Sequence, residues 1–146
     1  MYNQYEWYRQ TNKLLNDIEK AINGQYSAIQ CYAKLAQMAP NEKERNQILE
    51  IRKDEKRHLR QFKLIYQSLT GKQAEPKLLE GCPNNYLDGL EFALLDEQET
   101  VDFYHGIASE TSNSYIKDAF TRAASDEQNH AVWFLYFLTK HWKKKR

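Results

Sequence analysis

Apolar residues recur at alternating steps of three and four along four long segments of this 146-residue chain. This spacing places them on one face of an α-helix, as in the seam of a helix bundle. Helices are predicted at residues 10–39, 42–69, 84–110 and 113–141. Pro40 follows the first helix, Asn41 and Glu44 form a capping pair for the second, and Gly71 marks its end. The chain is therefore expected to be all-α.

The connections between these helices predict how they are arranged. The first and last joints are only a few residues long, so each forces its two helices into an antiparallel hairpin. The middle segment, residues 70–83, can span about 46 Å at ~3.3 Å per residue, whereas a helix of ~27 residues is ~40 Å long. It is long enough to cross the whole bundle. The length of the chain predicts a single domain that includes residues 1–146.

The two predicted hairpins repeat one pattern at a distance of 72 residues. The clearest matched segments are DEKRH at residues 54–58 and DEQNH at residues 126–130. Tyr32 likewise matches Tyr104, and Asn41 matches Asn113. A repeat at a constant offset indicates copies of one structural unit, so each hairpin is predicted to be one copy.

Six polar residues interrupt the seams at mid-helix. They are Gln25 in the first helix, Glu55 and His58 in the second, Glu97 in the third, and Glu127 and His130 in the fourth. The turn at residue 40 places Gln25 opposite Glu55, and the turn at residue 112 places Glu97 opposite Glu127. Burial of an unpaired carboxylate costs several kcal/mol. The six groups must therefore be compensated together.

A pair of metal ions would compensate them. A Glu and a His three residues apart project from one helix face, so an oxygen and a nitrogen ligand reach a common point. Two such pairs and two further side chains can enclose two ions. Carboxylate and imidazole without thiolate suit iron or manganese best, with zinc possible.

Four further residues are predicted to support the ligands. A ligating His usually donates its other N–H to an acceptor such as a carboxylate. We therefore expect Asp54 to hydrogen-bond His130, and Asp126 to hydrogen-bond His58. Tyr32 and Tyr104 lie two turns from the mid-seam residues of the first and third helices. They are expected either to hydrogen-bond near the site or to be core tyrosines with satisfied hydroxyl groups.

The alternative to a metal site is a buried polar network that only determines helix register. Such a network would need internal partners for three acids, two imidazoles and an amide. A lone Glu-x-x-His motif is weak evidence for metal binding. Two of them, both on the seam and both preceded by Asp, favour the metal site.

At these residues the chain resembles the ferritin-like di-iron carboxylate superfamily, and most closely its rubrerythrin-like branch. The matching segments are NGQYSAIQCYAKLA, DEKRH, DEQETVDFYHGIA and DEQNH. The resemblance implies a ferritin-like four-helix bundle, built from two antiparallel hairpins joined by a long crossover, with a dinuclear iron centre. By the family's pattern, Glu55 and Glu127 would bridge the ions. His58 and His130 would bind one ion each, and Glu97 would be a terminal ligand.

The chain departs from that pattern in three ways. Gln25 stands where the family usually has Glu, so the site has three negative charges instead of four and its Gln25 position should be weak or vacant. Thr100 occupies the position of an additional Glu in peroxide-reducing rubrerythrins, while Glu99 and Asp102 fall off the seam. The rubredoxin-like iron domain is absent, which leaves the electron donor unknown.

These features predict a non-haem di-iron protein that acts as an oxidoreductase with O2 or peroxide and ferrous iron. Its role would be iron oxidation or protection against oxidative stress, although enzymatic activity itself stays open. The alternative is a non-catalytic protein that binds or sequesters iron in an asymmetric site. A third reading is an interaction module that has the fold but binds no metal.

Composition restricts the partners. The chain has 21 Lys and Arg against 20 Asp and Glu, so no nucleic-acid partner is expected. No segment approaches the ~20 apolar residues of a membrane span, and the chain start lacks signal-peptide character. Cys31 is expected to be a small buried residue and Cys82 an exposed one, without a disulfide, which favours the cytoplasm.

The two ends of the chain also carry predictions. The N-terminal aromatic residues, Tyr2, Tyr5, Trp7 and Tyr8, are expected to pack against the bundle or against a second subunit, which predicts a homodimer. The basic sequence KHWKKKR is expected to be a solvated end of the fourth helix, where its charge complements the helix dipole.

Overall fold

The computed structural model describes residues 3–145, and side chains for residues 3–143. Its helices are α1 Gln4–Met38, α2 Glu42–Thr70, α3 Tyr86–Glu110, α4 Ser114–Lys140 and the short α5 Trp142–Lys145. No strand occurs within residues 3–145. The predicted all-α architecture is confirmed, and α2, α3 and α4 begin and end within about two residues of the predicted limits.

Asparagine begins each of the four long helices. The cap residues are Asn3, Asn41, Asn85 and Asn113. Each side chain accepts a hydrogen bond from the backbone N–H three residues later, an interaction that typically contributes ~1 kcal/mol. Asn41 forms the predicted pair with Glu44, since its Nδ2 donates to Glu44 Oε2 at 2.6 Å. Gly71 ends α2 with φ 72°, a conformation that favours glycine.

The first helix begins earlier than predicted, because Asn3 caps it and residues 4–9 continue its hydrogen-bonding pattern. Tyr5, Trp7 and Tyr8 are 72%, 62% and 62% exposed. Trp7 borders a cavity with Ile107 and Thr111 of the bundle, but the three aromatic side chains leave most of their surface exposed. Tyr2 lies outside the described residues, and packing against a second subunit stays a prediction.

The four long helices form two antiparallel hairpins that lie side by side. Helix α1 packs mainly on α2, and α3 mainly on α4, with smaller contacts between α1 and α3 and between α2 and α4. Gly89 allows α3 to approach α1, because a Cβ atom at this position would lie 2.6 Å from Leu35 Cδ1. The four seams therefore face one shared interior.

The segment between α2 and α3 crosses the bundle alongside α1, as the chain length allowed. Its contacts advance along both segments in the same direction: Lys77 N to Asn23 Oδ1 (2.8 Å), Leu79 N to Ser27 Oγ (2.7 Å), the Cys82–Cys31 disulfide, and Lys34 Nζ to Asn84 Oδ1 (2.5 Å). We call residues 71–85 the crossover. It joins the two hairpins and covers one side of α1.

The expectation that the cysteines stay unpaired is wrong. Cys31 and Cys82 form a disulfide, with Cα atoms 5.6 Å apart. They are 51 residues apart in sequence, and no motif links them. The parallel course of the crossover and α1 brings them together, and this is a tertiary feature that the spacing of the cysteines does not reveal.

Two apolar clusters fill the interior, one toward each end of the bundle. Phe62, Tyr104 and Phe120 belong to the first cluster, where the rings of Phe62 and Phe120 stack with centroids 4.3 Å apart. Leu35 and Phe134 belong to the second cluster. Each long helix contributes to both clusters, and the mid-seam polar residues lie between them along every helix. Within the described chain, no helix has the length and apolar character of a membrane span.

Candidate metal centre

The six mid-seam polar residues all lie in the interior of the bundle. Gln25, Glu55, His58, Glu97, Glu127 and His130 are each no more than 2% exposed. They come from the middle of all four long helices, as the seam pattern predicted. The two apolar clusters above and below them separate the group from solvent along the bundle axis.

Glu55 and Glu127 occupy the centre of this group. Their Oε1 atoms lie 3.3 and 3.1 Å from His58 Nδ1, and 3.5 and 3.6 Å from His130 Nδ1. Glu97 is near one histidine, with its Oε2 3.5 Å from His130 Nδ1. One potential ligand atom from each of Glu55, Glu97, Glu127 and His130 lies within 4.8 Å of the others.

Each of the six residues presents one buried atom that has no hydrogen-bond partner among the described residues. The atoms are Gln25 Oε1, Glu55 Oε1, His58 Nδ1, Glu97 Oε2, Glu127 Oε1 and His130 Nδ1. An unsatisfied buried polar group costs ~1–3 kcal/mol, and a network that served only to determine register would satisfy its members internally. Four oxygens and two imidazole nitrogens are instead left free, which is a donor set that suits iron.

Both predicted Asp–His hydrogen bonds are present. Asp126 Oδ2 lies 2.8 Å from His58 Nε2, and Asp54 Oδ2 lies 2.8 Å from His130 Nε2. Each bond joins the two hairpins. Because a carboxylate accepts from Nε2–H, the Nδ1 lone pair of each neutral ring is directed to the centre of the group. A neutral ring held in this way presents Nδ1 to the centre, as a metal ion requires, whereas the raised pKa of His130 keeps a proton on this ring in the metal-free protein at neutral pH.

Two arginines strengthen this arrangement at its outer edge. Arg57 donates to Asp54 at 2.8 Å and to Asp126 at 3.1 Å, while Arg122 donates to Asp126 at 3.1 Å. Burial opposes ionisation of Asp126, but the hydrogen bond from His58 and the charge of Arg122 lower its pKa to about 2. Asp126 is therefore a permanent anion at neutral pH.

The inner carboxyl groups have the opposite behaviour. Burial and the charge of Glu55 raise the pKa of Glu97 to about 7. Burial and the charges of Glu55 and Glu97 raise the pKa of Glu127 well above its usual range. Burial alone would lower the pKa of His130, but the nearby Glu97 and Glu55 carboxylates raise it to about 9. Protons thus compensate the group in the metal-free protein, and metal binding must displace them.

The two tyrosines both hydrogen-bond to mid-seam residues, but in opposite directions. Tyr32 OH donates to Glu97 Oε1 at 2.6 Å. Gln25 Nε2 donates to Tyr104 OH at 2.5 Å. The carboxylate can only accept, whereas the amide can donate through its nitrogen. This orientation of the amide leaves Gln25 Oε1 as the unpartnered atom.

Of the other residues considered from the sequence, Thr100 borders the same small cavity as Gln25, Glu55 and Glu127. Thr100 is half-buried, and its hydroxyl donates to the Asp96 carbonyl oxygen of its own helix at 2.7 Å. Glu99, Asp102 and His105 are exposed. The third helix therefore contributes one carboxylate to the central group, Glu97.

Asp96 is a residue that the sequence analysis missed. It lies beside Gln25 and Glu55 at a small cavity between α1 and α3. Burial and the charges of Glu55 and Glu99 raise its pKa to about 6. Asp96 is not itself a seam residue. Its position next to the seam residue Glu97 is the only signal in the sequence that it lies near the centre.

A second buried charged residue was also missed. Glu44 is fully buried and accepts hydrogen bonds from Tyr86 OH at 2.8 Å and His141 Nε2 at 2.9 Å. His141 belongs to the basic end that was predicted to be solvated, and that prediction is wrong for this residue. Glu44 lies four residues before Ile48 in the α2 seam, which is the signal that could have located it inside.

Comparison with known proteins identifies the family of this chain. No protein-family model matches it. It is 59% identical over 131 residues to the uncharacterized protein YhjR of Bacillus subtilis (strain 168), across 90% of each chain. The chain belongs to the YhjR family.

Two solved structures share the fold. A ferritin-like, diiron-carboxylate protein from Bacillus anthracis str. Ames superposes with a TM-score of 0.76 and 20% identity, over 88% of this chain and 97% of that one. A hypothetical protein from Pyrococcus furiosus has a TM-score of 0.74 and 19% identity, over 86% and 88% of the two chains. The chain thus has the ferritin-like four-helix fold, and its buried Glu and His cluster could hold metal ions.

Proposed function

We propose that this chain is a di-metal carboxylate protein of the rubrerythrin-like branch that holds two iron ions, with manganese or zinc as possible substitutes. The observation that supports this most strongly is the set of six buried ligand atoms without hydrogen-bond partners among the described residues. The Asp–His hydrogen bonds that set the histidine tautomers support it further. We also propose that residues 1–146 are one domain, because all four seams enclose this group.

The distances suggest how the ligands divide between the two ions. Glu55 and Glu127 would be shared, since each places its Oε1 near both histidines. His58 would serve one ion, while His130 and Glu97 would serve the other. Gln25 would add a neutral oxygen to the His58 ion, a weaker ligand for a hard cation than a carboxylate. The Gln25 side is therefore the weaker half of the centre.

When bound, iron would supply the electrons that reduce O2 or peroxide. The protein's own residues would orient the ligands and control access. Asp54 and Asp126 hold the imidazole rings, and Tyr32 holds Glu97. The apolar clusters exclude water from above and below. The cavity beside Gln25 would admit a small molecule to the weaker half.

The proposed activity is oxidation of ferrous iron by O2 or peroxide, and anaerobic loading tests it. Protein loaded with ferrous iron should retain close to two ions per chain and oxidise them faster than buffer does. Glu55→Gln should abolish the acceleration, because it removes a shared carboxylate. Glu50→Gln, an exposed change on the same helix, is the matched control and should behave as the native chain. Equal oxidation rates with and without native protein would contradict the activity.

A second candidate is sequestration of metal without turnover. It is favoured by one observation: one potential ligand atom from each of Glu55, Glu97, Glu127 and His130 lies within 4.8 Å of the others, so one ion could take all four. One ion per chain without accelerated oxidation would select this function. If iron, manganese and zinc all leave the melting temperature unchanged, then no metal favours the folded state, and the chain would be an interaction module.

The remaining proposals concern the cellular location and the oligomeric state of the protein. We propose that it acts in the cytoplasm, where ferrous iron and an electron donor of unidentified chemistry are available to it. The Cys31–Cys82 disulfide removes the argument from unpaired cysteines, so this proposal rests on the need for ferrous iron alone. A homodimer is also proposed, since Trp7 and its neighbouring tyrosines expose large aromatic surfaces. Light scattering of the purified chain tests the dimer.

A further inference from the structure

The weaker half of the proposed metal centre has one negative charge fewer than it could have. Within the proposed ligand set, three buried carboxylates and two neutral histidines would face two divalent ions, which leaves a net charge of +1. The half-buried Asp96, which lines the cavity beside Gln25, is not one of those ligands. Gln25 occupies the position where a fourth carboxylate would give neutrality. Its Oε1 is buried and has no partner among the described residues, and as part of a neutral amide it adds no negative charge at this corner.

A cavity opens at this corner. It has a volume of about 40 Å³ and is lined by Gln25, Glu55 and Glu127 on its inner side. Gly24 and Ala28 of α1 form part of its wall. A cavity needs only ~10–15 Å³ to hold one water. This one therefore has room for a carboxylate group beside Gln25.

A larger cavity adjoins the small one. It has a volume of about 420 Å³, within the range of about 300–1,000 Å³ found for small-molecule sites. It lies between the crossover, α1 and α3, and its surface is mostly apolar, with Leu78, Leu79 and Phe92 among its lining residues. We call it the crossover cavity.

The two cavities share three lining residues, Gly24, Ala28 and Asp96. Two of these have little or no side chain, so the wall between the cavities is thin on the α1 side. Lys20 borders the small cavity, while Lys34, Glu80 and Asp96 border the crossover cavity. A ligand that occupied both cavities would pass Gly24 and Ala28.

We propose that the chain binds a short aliphatic monocarboxylate, with its carboxylate beside Gln25 and its alkyl chain in the crossover cavity. The carboxylate supplies the oxygen ligand and the negative charge that Gln25 lacks, and hard cations favour such oxygens. The alkyl chain leaves water for an apolar surface. This inference rests on the proposed metal centre and identifies the organic ligand of that same site.

A homologous series of acids tests both parts of the ligand. Isothermal titration calorimetry would compare acetate, butanoate and hexanoate on protein loaded anaerobically with ferrous iron. Affinity should rise with chain length, by up to about fourfold per CH2 group buried. Hexan-1-ol, which has the alkyl chain without the charge, should bind at least ~10-fold more weakly than hexanoate. A flat series, or equal binding of the alcohol and the acid, would overturn the proposal.

Three variants test the location. Gln25→Glu supplies the missing carboxylate from the protein and should weaken hexanoate binding at least ~10-fold. Gly24→Leu should block the junction, since a Cβ at this position meets no described atom within 4 Å and the added side chain enters the cavities. Gly106→Leu is the matched control, because its Cβ position is equally open and it lines neither cavity. If Gly24→Leu and Gly106→Leu bind hexanoate equally, the proposed location is wrong.

Metal analysis of the same samples separates the two proposals. Native protein with close to two ions per chain but no chain-length dependence would reject only the carboxylate ligand. Native protein that retains no metal would reject the metal centre and this inference together. Metal-free protein should bind hexanoate at least ~10-fold more weakly than loaded protein, and equal binding would show an apolar cavity that does not depend on the metal centre, contrary to the proposal.

Discussion

The two hairpins repeat one sequence pattern, and two of the positions at which they differ distinguish the chemistry of the two halves. The α3–α4 hairpin has Glu97 at mid-seam, where the α1–α2 hairpin has Gln25. The α1–α2 hairpin has Cys31 bonded to the crossover, where the α3–α4 hairpin has Phe103. The α3–α4 hairpin therefore supplies more negative charge to the centre. The α1–α2 hairpin carries the disulfide to the crossover and borders both cavities. A repeat can thus conserve a fold while its two copies diverge in chemistry.

The largest expected effect is on stability and comes from the Cys31–Cys82 disulfide. Reduction of the Cys31–Cys82 disulfide should destabilise the protein by ~4 kcal/mol, because closing a loop of 51 residues restricts the unfolded chain. Denaturant unfolding with and without a thiol reductant measures this difference. A Cys31→Ser/Cys82→Ser double variant should match the reduced protein and no longer respond to the reductant. A change under ~1 kcal/mol in native protein would show that the crossover is held by its other contacts.

The next largest effect is on iron affinity and comes from Glu97 in the α3–α4 hairpin. Glu97→Gln makes the two halves alike and should lower iron affinity by more than ~100-fold, since even residues outside the ligand set typically contribute 10–100-fold. The same change should stabilise the metal-free protein, because it removes a buried carboxylate whose pKa is raised to about 7.

Gln25→Ala serves as the comparison for Glu97→Gln and should lower iron affinity by less than ~10-fold. Competition with a chromophoric chelator measures both variants. Equal losses would mean that the amide contributes as much as the carboxylate, and the distinction between the halves would fail.

A smaller effect is the pH dependence of the metal-free protein. The folded-state pKa of Glu97 is raised from 4.5 to about 7, and that of His130 from 6.5 to about 9. The folded protein therefore holds more protons than the unfolded chain between pH about 4.5 and 9, so its stability falls as pH rises through this range. We expect the free energy of unfolding to fall steadily between pH 5 and 9, as measured by denaturant unfolding.

The same titration distinguishes the two histidines. The pKa of His58 is also raised, since the effects of Asp126 and Glu55 exceed that of burial. His58 has no contact with Glu97 comparable to that of His130, so His130 should release its proton at higher pH. NMR spectra of the imidazole protons would show the order. Release from His58 at the higher pH would contradict the assignment of Glu97 to the His130 half.

The smallest expected effect compares the two supporting aspartates. Asp126→Asn and Asp54→Asn should each lower iron affinity by ~10–100-fold, because each orients one histidine. Asp126→Asn should have the larger effect by several-fold, since the Asp126 side chain is 13% exposed and that of Asp54 is 33% exposed. Asp118→Asn, an exposed change on α4, is the control. A larger effect for Asp54→Asn would reverse this ranking.

Most of the fold and the residues of the candidate site were predictable from the sequence because they are periodic. Steps of three and four located the seams, and a polar residue in a seam must be buried once the helix forms. The Asp–His bonds followed from the register of two hairpins with short turns. The early start of α1 was missed because residues 4–9 have no seam, and their helix depends on the Asn3 cap.

Other features could not be predicted because they join segments without a shared period. The disulfide and the crossover cavity exist because an irregular segment lies along α1. Burial of His141 depends on Glu44, which is 97 residues away in sequence.

The sequence by itself determined the four helices, the six polar residues at their centre and the difference between Gln25 and Glu97. Local periodicity and residue chemistry are sufficient for these features. The tertiary structure decided which atoms of those residues stay without hydrogen-bond partners, which half adjoins the cavities, and which cysteines meet. These features depend on how non-periodic segments pack, and packing is a property of the whole chain and not of any local pattern.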